Sequence, residues 1–200
     1  MMIDQYLEAI KTRRTNYTID KHVGIAPCRL QDIISEIVVN SPSAFNSQSS
    51  RVVLLLCGKH KLLWDITLKS LEAVTPAAAF EATKEKIASF AAGAGTILYF
   101  EDYSIVEGLQ EKFPLYADNF PVWASQSSAI IQNNIWTALT IEGLGASLQH
   151  YNPLIDEEVK KQLNLPEKWK LIAQMPFGNP VAPPPEKTSV AAESMVQVLY

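Results

Sequence analysis

The sequence has few of the residues that build the most common metal and thiol sites. It contains two cysteines and three histidines in 200 residues. Cys28 and Cys57 form no Cys-x-x-Cys pair, which excludes a disulfide framework and fits a reducing, cytoplasmic setting. Each is expected to be a buried free thiol. The histidines, at His22, His60 and His150, are dispersed without metal-ligand spacing, so no metal site is expected.

Other absences narrow the class of protein further. The longest apolar run lies within residues 52–57, far too short to span a membrane. Residues 1–10 lack the charged-then-apolar pattern of a secretion signal. The formal net charge of −4 argues against a dedicated nucleic-acid binder. Because the Gly-x-Gly-x-x-Gly, phosphate-loop and Gly-x-Ser-x-Gly motifs are absent, neither a Rossmann domain nor a common hydrolase is indicated.

What the sequence does contain is apolar residues at regular spacing. With 48% hydrophobic residues, the chain can form one domain over residues 1–200. Helical periodicity predicts helices over residues 2–12, 29–39, 59–73, 77–90 and 156–163. Short apolar or alternating runs predict strands over residues 52–57, 96–100, 146–150 and 169–175. Residues 176–200 include five prolines and predict an extended C-terminal arm. This mixed order favours an α+β or three-layer fold.

A further helix, predicted over residues 121–142, carries apolar side chains on several faces. Pro121 fits its first turn, where the missing N–H costs nothing. The apolar residues are Val122, Trp123, Ile130, Ile131, Ile135, Trp136, Leu139 and Ile141. A helix that is apolar nearly all round is buried on several sides, either in a large core or between subunits.

Three separated stretches have the composition of one site for an anion and a flat ring. Arg13-Arg14-Thr15 offers two guanidinium groups and a hydroxyl to a phosphate, although the helix dipole alone also favours cations there. Residues 41–48, Ser-Pro-Ser-Ala-Phe-Asn-Ser-Gln, offer amide donors and acceptors to a heterocycle, or form an ordinary serine-rich turn. Residues 141–146, Ile-Glu-Gly-Leu-Gly-Ala, allow the backbone to approach a flat ligand closely.

Taken together and in this order, the three stretches resemble the nitroreductase family over nearly the whole chain. Phe45 and Trp64 resemble its small bacterial and fungal stress-related branch. The resemblance implies an α+β, three-layer fold with a central mixed, largely antiparallel sheet flanked by helices. It also implies an intertwined homodimer with two FMN molecules at the interface. The helix over residues 121–142 would then form the core of the dimer.

The resemblance also assigns residues to the flavin. Arg13 and Thr15, with Arg14 beside them, match the family's phosphate and ribityl contacts, and Lys187 matches a late phosphate-binding residue. The loop that one subunit donates to the flavin of the other would contribute Pro42, Ser43, Ala44, Asn46 and Gln48. Glu142 and Gly143 would face the flavin ring, with the Gly143 N–H near ring N5.

One position departs from the family's pattern. Tyr17 stands where many members have a lysine close to the pyrimidine side of the flavin. A positive charge near N1 and O2 stabilises the reduced, anionic flavin. Lys69 could supply this charge, or it is an ordinary solvated lysine.

The function implied is that of an FMN-dependent oxidoreductase active in oxidative or xenobiotic stress. In a ping-pong cycle, NADH or NADPH would reduce the flavin, and a small aromatic oxidant such as a nitroaromatic or a quinone would reoxidise it. This scheme requires no catalytic side chain, and none is assigned. Two alternatives stay open. One is a flavin-binding regulatory or stress-linked interaction protein with weak reductase activity. The other is a structural dimer without flavin, in which Arg13 and Arg14 are surface charges.

Overall fold

The computed structural model describes residues 2–200, which form seven α-helices and five β-strands. The helices are α1 (Met2–Thr12), α2 (Pro27–Asn40), α3 (Cys57–Glu72), α4 (Ala77–Ala91), α5 (Tyr103–Lys112), α6 (Phe120–Ile141) and α7 (Asp156–Leu163). The strands are β1 (Ile19–Asp20), β2 (Ser50–Leu56), β3 (Gly95–Asp102), β4 (Gly145–Ala146) and β5 (Trp169–Pro180). Short 3₁₀ turns lie at Ala44–Asn46, Pro114–Asn119 and Ala192–Ser194.

The strands form an antiparallel sheet in the order β1-β5-β3-β2, and β4 also pairs with β5. Strand β3 runs through its centre, where Leu98 is in register with Val53 of β2 and Gln174 of β5. An isolated parallel bridge joins Thr15 to Ala146. The prediction of a central, largely antiparallel sheet is therefore confirmed.

Both faces of the sheet are covered by helices. Successive residues of a strand point to opposite faces. Ile97 and Tyr99 of β3 pack in one core with residues of α2 and α6. Leu98 and Phe100 pack in a second core with residues of α3, α4 and α7. This three-layer arrangement explains why β3 appears in the sequence as an almost uninterrupted apolar run.

Part of the apolar surface of the helices remains uncovered within one protomer. Helix α6 buries one face but leaves Val122, Ile130 and Ile141 exposed. Helix α1 has no buried residue among those described, and its apolar side chains include Tyr6 and Leu7. The prediction that α6 is buried on several sides thus holds only in part for an isolated protomer. Apolar patches of this kind mark interaction surfaces.

The end of the chain differs from the prediction in two ways. The strand predicted over residues 146–150 is limited to Gly145–Ala146, followed by a single bridge between Gln149 and Gln174. The strand predicted to stop at Met175 continues to Pro180, so the extended arm begins after residue 180 instead of at 176. Pro176 does not end the strand, because its carbonyl still accepts a hydrogen bond from the Ser147 N–H at 3.2 Å.

Two further features differ from the sequence-based expectation. Helix α5 was not predicted, although Asp102 caps it by accepting a hydrogen bond from the Ser104 N–H at 3.2 Å. Cys28 and Cys57 are exposed, so the expectation of buried thiols is wrong. Each lies in the first turn of a helix, on a side that no core covers. Among residues 2–200, no helix is both long enough and apolar enough to cross a membrane.

Candidate functional site

The first and third predicted stretches meet at the edge of the sheet. Thr15 pairs in parallel with Ala146, and the Asn16 N–H donates to the Ala146 carbonyl at 2.9 Å. A Cβ atom on Gly145 would lie only 2.9 Å from the Cβ of Asn16. The glycine therefore permits the close approach of the two segments, which places Arg13–Thr15 beside the end of α6.

Hydrogen-bond donors concentrate at this junction. The Arg13 guanidinium lies over the ring of Trp136, 4.5 Å from its centroid. The indole Nε1 of Trp136 is buried and has no hydrogen-bond partner among the described residues. Arg14 donates to the carbonyl of Pro185 in the C-terminal arm. A buried donor without a partner is costly, so this edge suits a ligand that carries acceptor oxygens.

The end of α6 has a defined local structure. The Gly143 N–H donates to Thr140 O at 3.0 Å and the Leu144 N–H donates to Leu139 O at 2.8 Å. These are the two bonds of a Schellman cap, which needs a positive φ at the glycine, here +77°. The N–H that the resemblance assigns to flavin N5 is therefore engaged within the helix end in this structure. A side chain at Gly143 would nevertheless meet open space, so a flat ligand can approach its Cα.

Glu142, the other residue of this turn, forms an ion pair with Arg29 of α2. The nitrogen and oxygen are 3.8 Å apart, and both side chains are partly exposed. A cavity of about 470 Å³ opens beside the turn, between Thr12, Asn16 and the start of the C-terminal arm. Its size is in the range of small-molecule pockets.

The second stretch, the 41–48 loop, lies toward the other end of α6. Ser41 accepts a hydrogen bond from the Asn134 side chain at 3.3 Å, and Phe45 stacks on Trp123. At about 1.5 Å per residue, α6 separates Trp123 from Ile141 by about 27 Å. On the same scale, the contact of Ser41 with Asn134 lies about 10 Å from Ile141. Within one protomer, the Phe45 end of the loop and the Arg13–Gly143 edge therefore do not form a single site.

The 41–48 loop has an unusual backbone conformation. Phe45, Asn46 and Gln48 have φ values of +57°, +50° and +49°. Ser43 closes the loop, because its carbonyl accepts from the Asn46 N–H and its hydroxyl accepts from the Gln48 N–H, both at 3.0 Å. Pro42, Asn46 and Gln48 are exposed, whereas Ser43 and Ala44 are partly buried. The loop thus presents its polar side chains outward from the protomer.

The two predicted lysines lie apart from this geometry. Lys69 is exposed on α3 and borders a depression with Glu158 and Gln162 of α7, where no other predicted site residue lies. Lys187 is exposed in the arm, two residues beyond the Pro185 carbonyl that binds Arg14. The assignments of Lys69 and Lys187 to the flavin stay predictions.

Several residues of this region were not found by reasoning from the sequence. Asn16 and Trp136 belong to the edge because the Thr15–Ala146 bridge and the packing of α6 bring them there. Phe45 was noted only as a family marker, but it contacts Phe113, Phe120 and Trp123 at centroid distances of 5.1, 5.3 and 5.8 Å. The cluster of aromatic residues over positions 113–123 was the available signal.

A larger cavity lies elsewhere in the fold. It measures about 650 Å³ and is bordered by Val23, Cys57, His60 and Phe177, among others. None of the predicted site residues borders it. The His60 ring nitrogens are already engaged by Thr96 and Ala91, at 2.8 and 3.2 Å. Volume alone therefore does not identify it as the functional site.

The structure is a three-layer α+β fold with an edge rich in hydrogen-bond donors beside the end of α6. Comparison with known proteins identifies the family. A model of the nitroreductase family matches residues 10–179. HBN1 of Saccharomyces cerevisiae is 36% identical over 187 residues, which cover 92% of this chain and 93% of HBN1. The nitroreductase CinD from Lactococcus lactis, solved in complex with nicotinic acid, has a TM-score of 0.90 at 47% identity. The match covers 98% of this chain and 100% of CinD.

The chain belongs to the nitroreductase family. A second solved structure, a protein from Desulfovibrio desulfuricans in complex with FMN, shares the fold with a TM-score of 0.70 at 17% identity. The match covers 97% of this chain and 96% of that protein. Members of the family are oxidoreductases that bind FMN and are typically dimeric.

Proposed function

We propose that this protein is an FMN-dependent oxidoreductase that takes a hydride from NADH or NADPH and reduces nitroaromatics or quinones in a ping-pong cycle. It acts as a homodimer of single-domain subunits, with a flavin at each of two equivalent interface sites. A role in the response to oxidative or xenobiotic stress follows from the same proposal. The observation that carries it is that the 41–48 loop contacts α6 between Trp123 and Asn134, about 10–27 Å along the helix from Ile141, where the turn at Glu142 and Gly143 begins.

In a dimer, the loop of one protomer and the edge of the other can lie side by side. If two protomers associate through their exposed α6 and α1 faces, the 41–48 loop of one can reach the Arg13–Gly143 edge of the other. Exposed apolar residues on both helices, such as Tyr6 and Ile130, support this mode of association. A closed two-fold arrangement then completes two identical sites.

The donor set of the edge fits FMN. Arg13, Arg14 and Thr15 can bind phosphate and ribityl oxygens, and Trp136 Nε1 supplies a donor that lacks a partner in the protomer. Lys187 can approach the phosphate, because the arm already passes Arg14. The flavin supplies the hydride chemistry, whereas these residues bind and orient it.

The flavin ring then lies against the turn at Glu142 and Gly143. Because the Gly143 N–H is held by Thr140, the open Cα face of the glycine supports a close backbone approach to the ring. The donated loop contributes Pro42, Ser43, Ala44, Asn46 and Gln48, whose amides and hydroxyl can reach the ring edge. Tyr17 stands where many members of the family have a lysine, and Lys69 is the proposed source of the positive charge that this lysine would supply.

Small flat aromatic molecules are the proposed class of oxidant. CinD has been solved with nicotinic acid, and also with 4-nitrophenol and with chloramphenicol. At 45–47% identity, these complexes support a similar acceptor class for this chain. One shared pocket for reductant and oxidant is consistent with the absence of a separate nucleotide-binding motif.

The test is anaerobic stopped-flow reduction of the FMN-loaded protein. NADH or NADPH is expected to bleach the flavin absorbance, and a nitroaromatic or quinone is expected to restore it. If neither nucleotide reduces the bound flavin, the proposed mechanism is wrong. If reduction is fast but no acceptor of the panel gives turnover, the regulatory alternative is favoured.

The phosphate site is tested with Arg13→Ala against Lys11→Ala, an exposed cation in the last turn of α1. Loss of a charge-assisted hydrogen bond is expected to weaken FMN binding by about 10-fold to 100-fold in the first variant. The second should bind FMN as the wild type does. A colourless wild-type protein that takes up no FMN would instead support the non-flavin dimer.

A further inference from the structure

A buried carboxylate lies directly behind the 41–48 loop. Glu101, near the end of β3, is 1% exposed. It accepts a hydrogen bond from the Ser49 hydroxyl at 2.6 Å and another from the Ser50 hydroxyl. These two serines are the first residues after the loop, so a single carboxylate on the central strand holds the point at which the loop joins the sheet.

Neighbouring charges strengthen the same junction. Arg51 donates to the Gln48 carbonyl at 2.7 Å and to the Ser50 carbonyl at 3.0 Å, and it pairs with Asp102 at 3.1 Å. The Asp102 N–H donates to the Ser49 carbonyl at 2.9 Å. From β5, Lys170 stands in register with Glu101. The carbonyls of Gln48 and Ser49 are thereby tied to Arg51 of β2 and to Asp102 of β3.

The loop itself is in a conformation that these residues do not adopt readily. Phe45, Asn46 and Gln48 all have left-handed φ values although none is glycine. Such strain persists only where the surroundings impose it, and it concentrates at functional sites. Inside the loop, the Ser43 hydroxyl and the Phe45 ring provide part of the restraint.

We propose that Glu101 is a positioning residue for the flavin site, which holds the 41–48 loop, through Ser49 and Ser50, in the shape that meets the flavin of the partner subunit. This inference rests on the proposed function, because it assumes that the loop contacts FMN. It assigns Glu101 no contact with the flavin or with any substrate.

Stability alone does not account for a carboxylate at this place. A buried charge carries a large desolvation cost, and well-packed apolar residues often replace buried ionic groups without loss of stability. An apolar residue at position 101 would continue the pattern of Ile97 and Tyr99, which share its face of β3. A carboxylate with two oxygens, by contrast, can accept from two consecutive hydroxyls and fix the direction in which the loop leaves the sheet.

The experiment measures FMN affinity in FMN-free protein by quenching of flavin fluorescence. Glu101→Met keeps the length of the side chain but removes both acceptors, whereas Glu101→Gln keeps one acceptor and adds a donor that a serine hydroxyl can accept. The matched control is Thr96→Val, at the opposite end of β3. Thr96 is also fully buried and binds His60 and Trp64 through its hydroxyl.

We expect Glu101→Met to raise the FMN dissociation constant about 10-fold to 100-fold, the range for losing hydrogen bonds to a charged group. Glu101→Gln should stay within about threefold of the wild type, and Thr96→Val within about twofold despite a lower Tm. Chymotrypsin cleavage after Phe45, identified by mass spectrometry, should accelerate in Glu101→Met and not in Thr96→Val.

The outcomes separate the two proposals. If the wild type takes up no FMN, the proposed function and the role of Glu101 both fail. If the wild type binds FMN while Glu101→Met matches Thr96→Val in affinity and in cleavage, only the role of Glu101 fails. Should Glu101→Met not fold, Ser50→Ala removes one donor, and an unchanged FMN affinity in that variant overturns the inference.

Discussion

Phe45 and Trp123 stack with their ring centroids 5.8 Å apart and an angle of 19° between the ring planes. Phe45 has a positive φ and is half exposed, yet it lies among the aromatic rings at the start of α6. The contact couples the shape of the 41–48 loop to α6, whose far end borders the Arg13–Gly143 edge. The ring of Phe45 therefore packs against α6 from a position whose backbone is strained.

Replacing Phe45 with alanine is expected to lower the free energy of unfolding by about 1–2 kcal/mol, because aromatic pairs contribute about 0.5–1.5 kcal/mol each and this ring is half exposed. FMN affinity should fall as well, since the loop loses a restraint. Urea denaturation and FMN titration measure the two effects. Val74→Ala, at an exposed position just after α3, is the control and should cost no more than about 0.5 kcal/mol. Equal losses in both variants would contradict the prediction.

The two roles of Gly143 can be separated by Gly143→Ala. Gly143 caps the helix with a φ of +77° and has open space around it. If that is its only role, alanine should introduce only left-handed backbone strain, which lowers the stability by about 1–2 kcal/mol. If the flavin ring packs on its Cα, FMN affinity should also fall about tenfold or more, since overpacking a close contact costs roughly 1–3 kcal/mol. Thermal unfolding without FMN and flavin titration are compared. A loss of stability with unchanged FMN affinity would leave Gly143 as a cap alone.

His60 makes the stability of the fold sensitive to acid. Burial lowers the pKa of His60 below its usual 6.5, and the neutral ring fits its partners, accepting from Thr96 and donating to Ala91. As the pH falls below 6.5, the unfolded chain binds a proton first, so this contribution to stability is lost by at most about 1.4 kcal/mol per pH unit. Urea denaturation at pH 7.5 and 5.5 should show a smaller difference for His60→Gln than for the wild type. An equal difference would rule out His60 as the source.

The contribution of Glu101 to folding stability is expected to change with pH in the opposite direction to that of His60. Burial raises the pKa of Glu101 above its usual 4.5, although the two serine hydroxyls and Arg51 oppose the shift. Between 4.5 and the folded pKa, the folded state holds the proton that the unfolded state has lost. The stability contributed by this group is therefore present at low pH and is lost as the pH rises through that window. Measured against Glu101→Gln over pH 7.5 to 5, the wild type should gain relative stability toward acid. A constant difference would contradict this.

Most of the fold could be predicted because burial imposes clear patterns. The run in β3 is apolar because both faces of that strand are covered, and the 3.6-residue period of α2 follows from one buried stripe. Helix α5 was missed because it is short and interrupted by Gly108, a poor helix former. The strand break expected at Pro176 was wrong because a single missing donor does not end a ladder that is paired on both sides.

For the candidate site, the sequence indicates which stretches have suitable chemistry but not how the fold brings them together. Arg13, Thr15 and Gly143 were selected for their chemistry, and the Thr15–Ala146 bridge does bring these stretches together. Glu101 gave no signal, since an acidic pair at the end of a strand is usually solvated. Its burial is decided by the folding of the Ser49–Ser50 junction over it, which no local pattern in the sequence encodes.

The separation of the two half-sites along α6 has a genetic consequence. A subunit that lacks Arg13 still carries a sound loop, and a subunit with a damaged loop still carries a sound arginine edge. When the two are co-expressed, each mixed dimer should contain one intact site and one doubly defective site. Two inactive alleles of this protein are therefore expected to complement each other, up to about half of the activity per mixed dimer, whereas two alleles with defects at the same end of the helix are not.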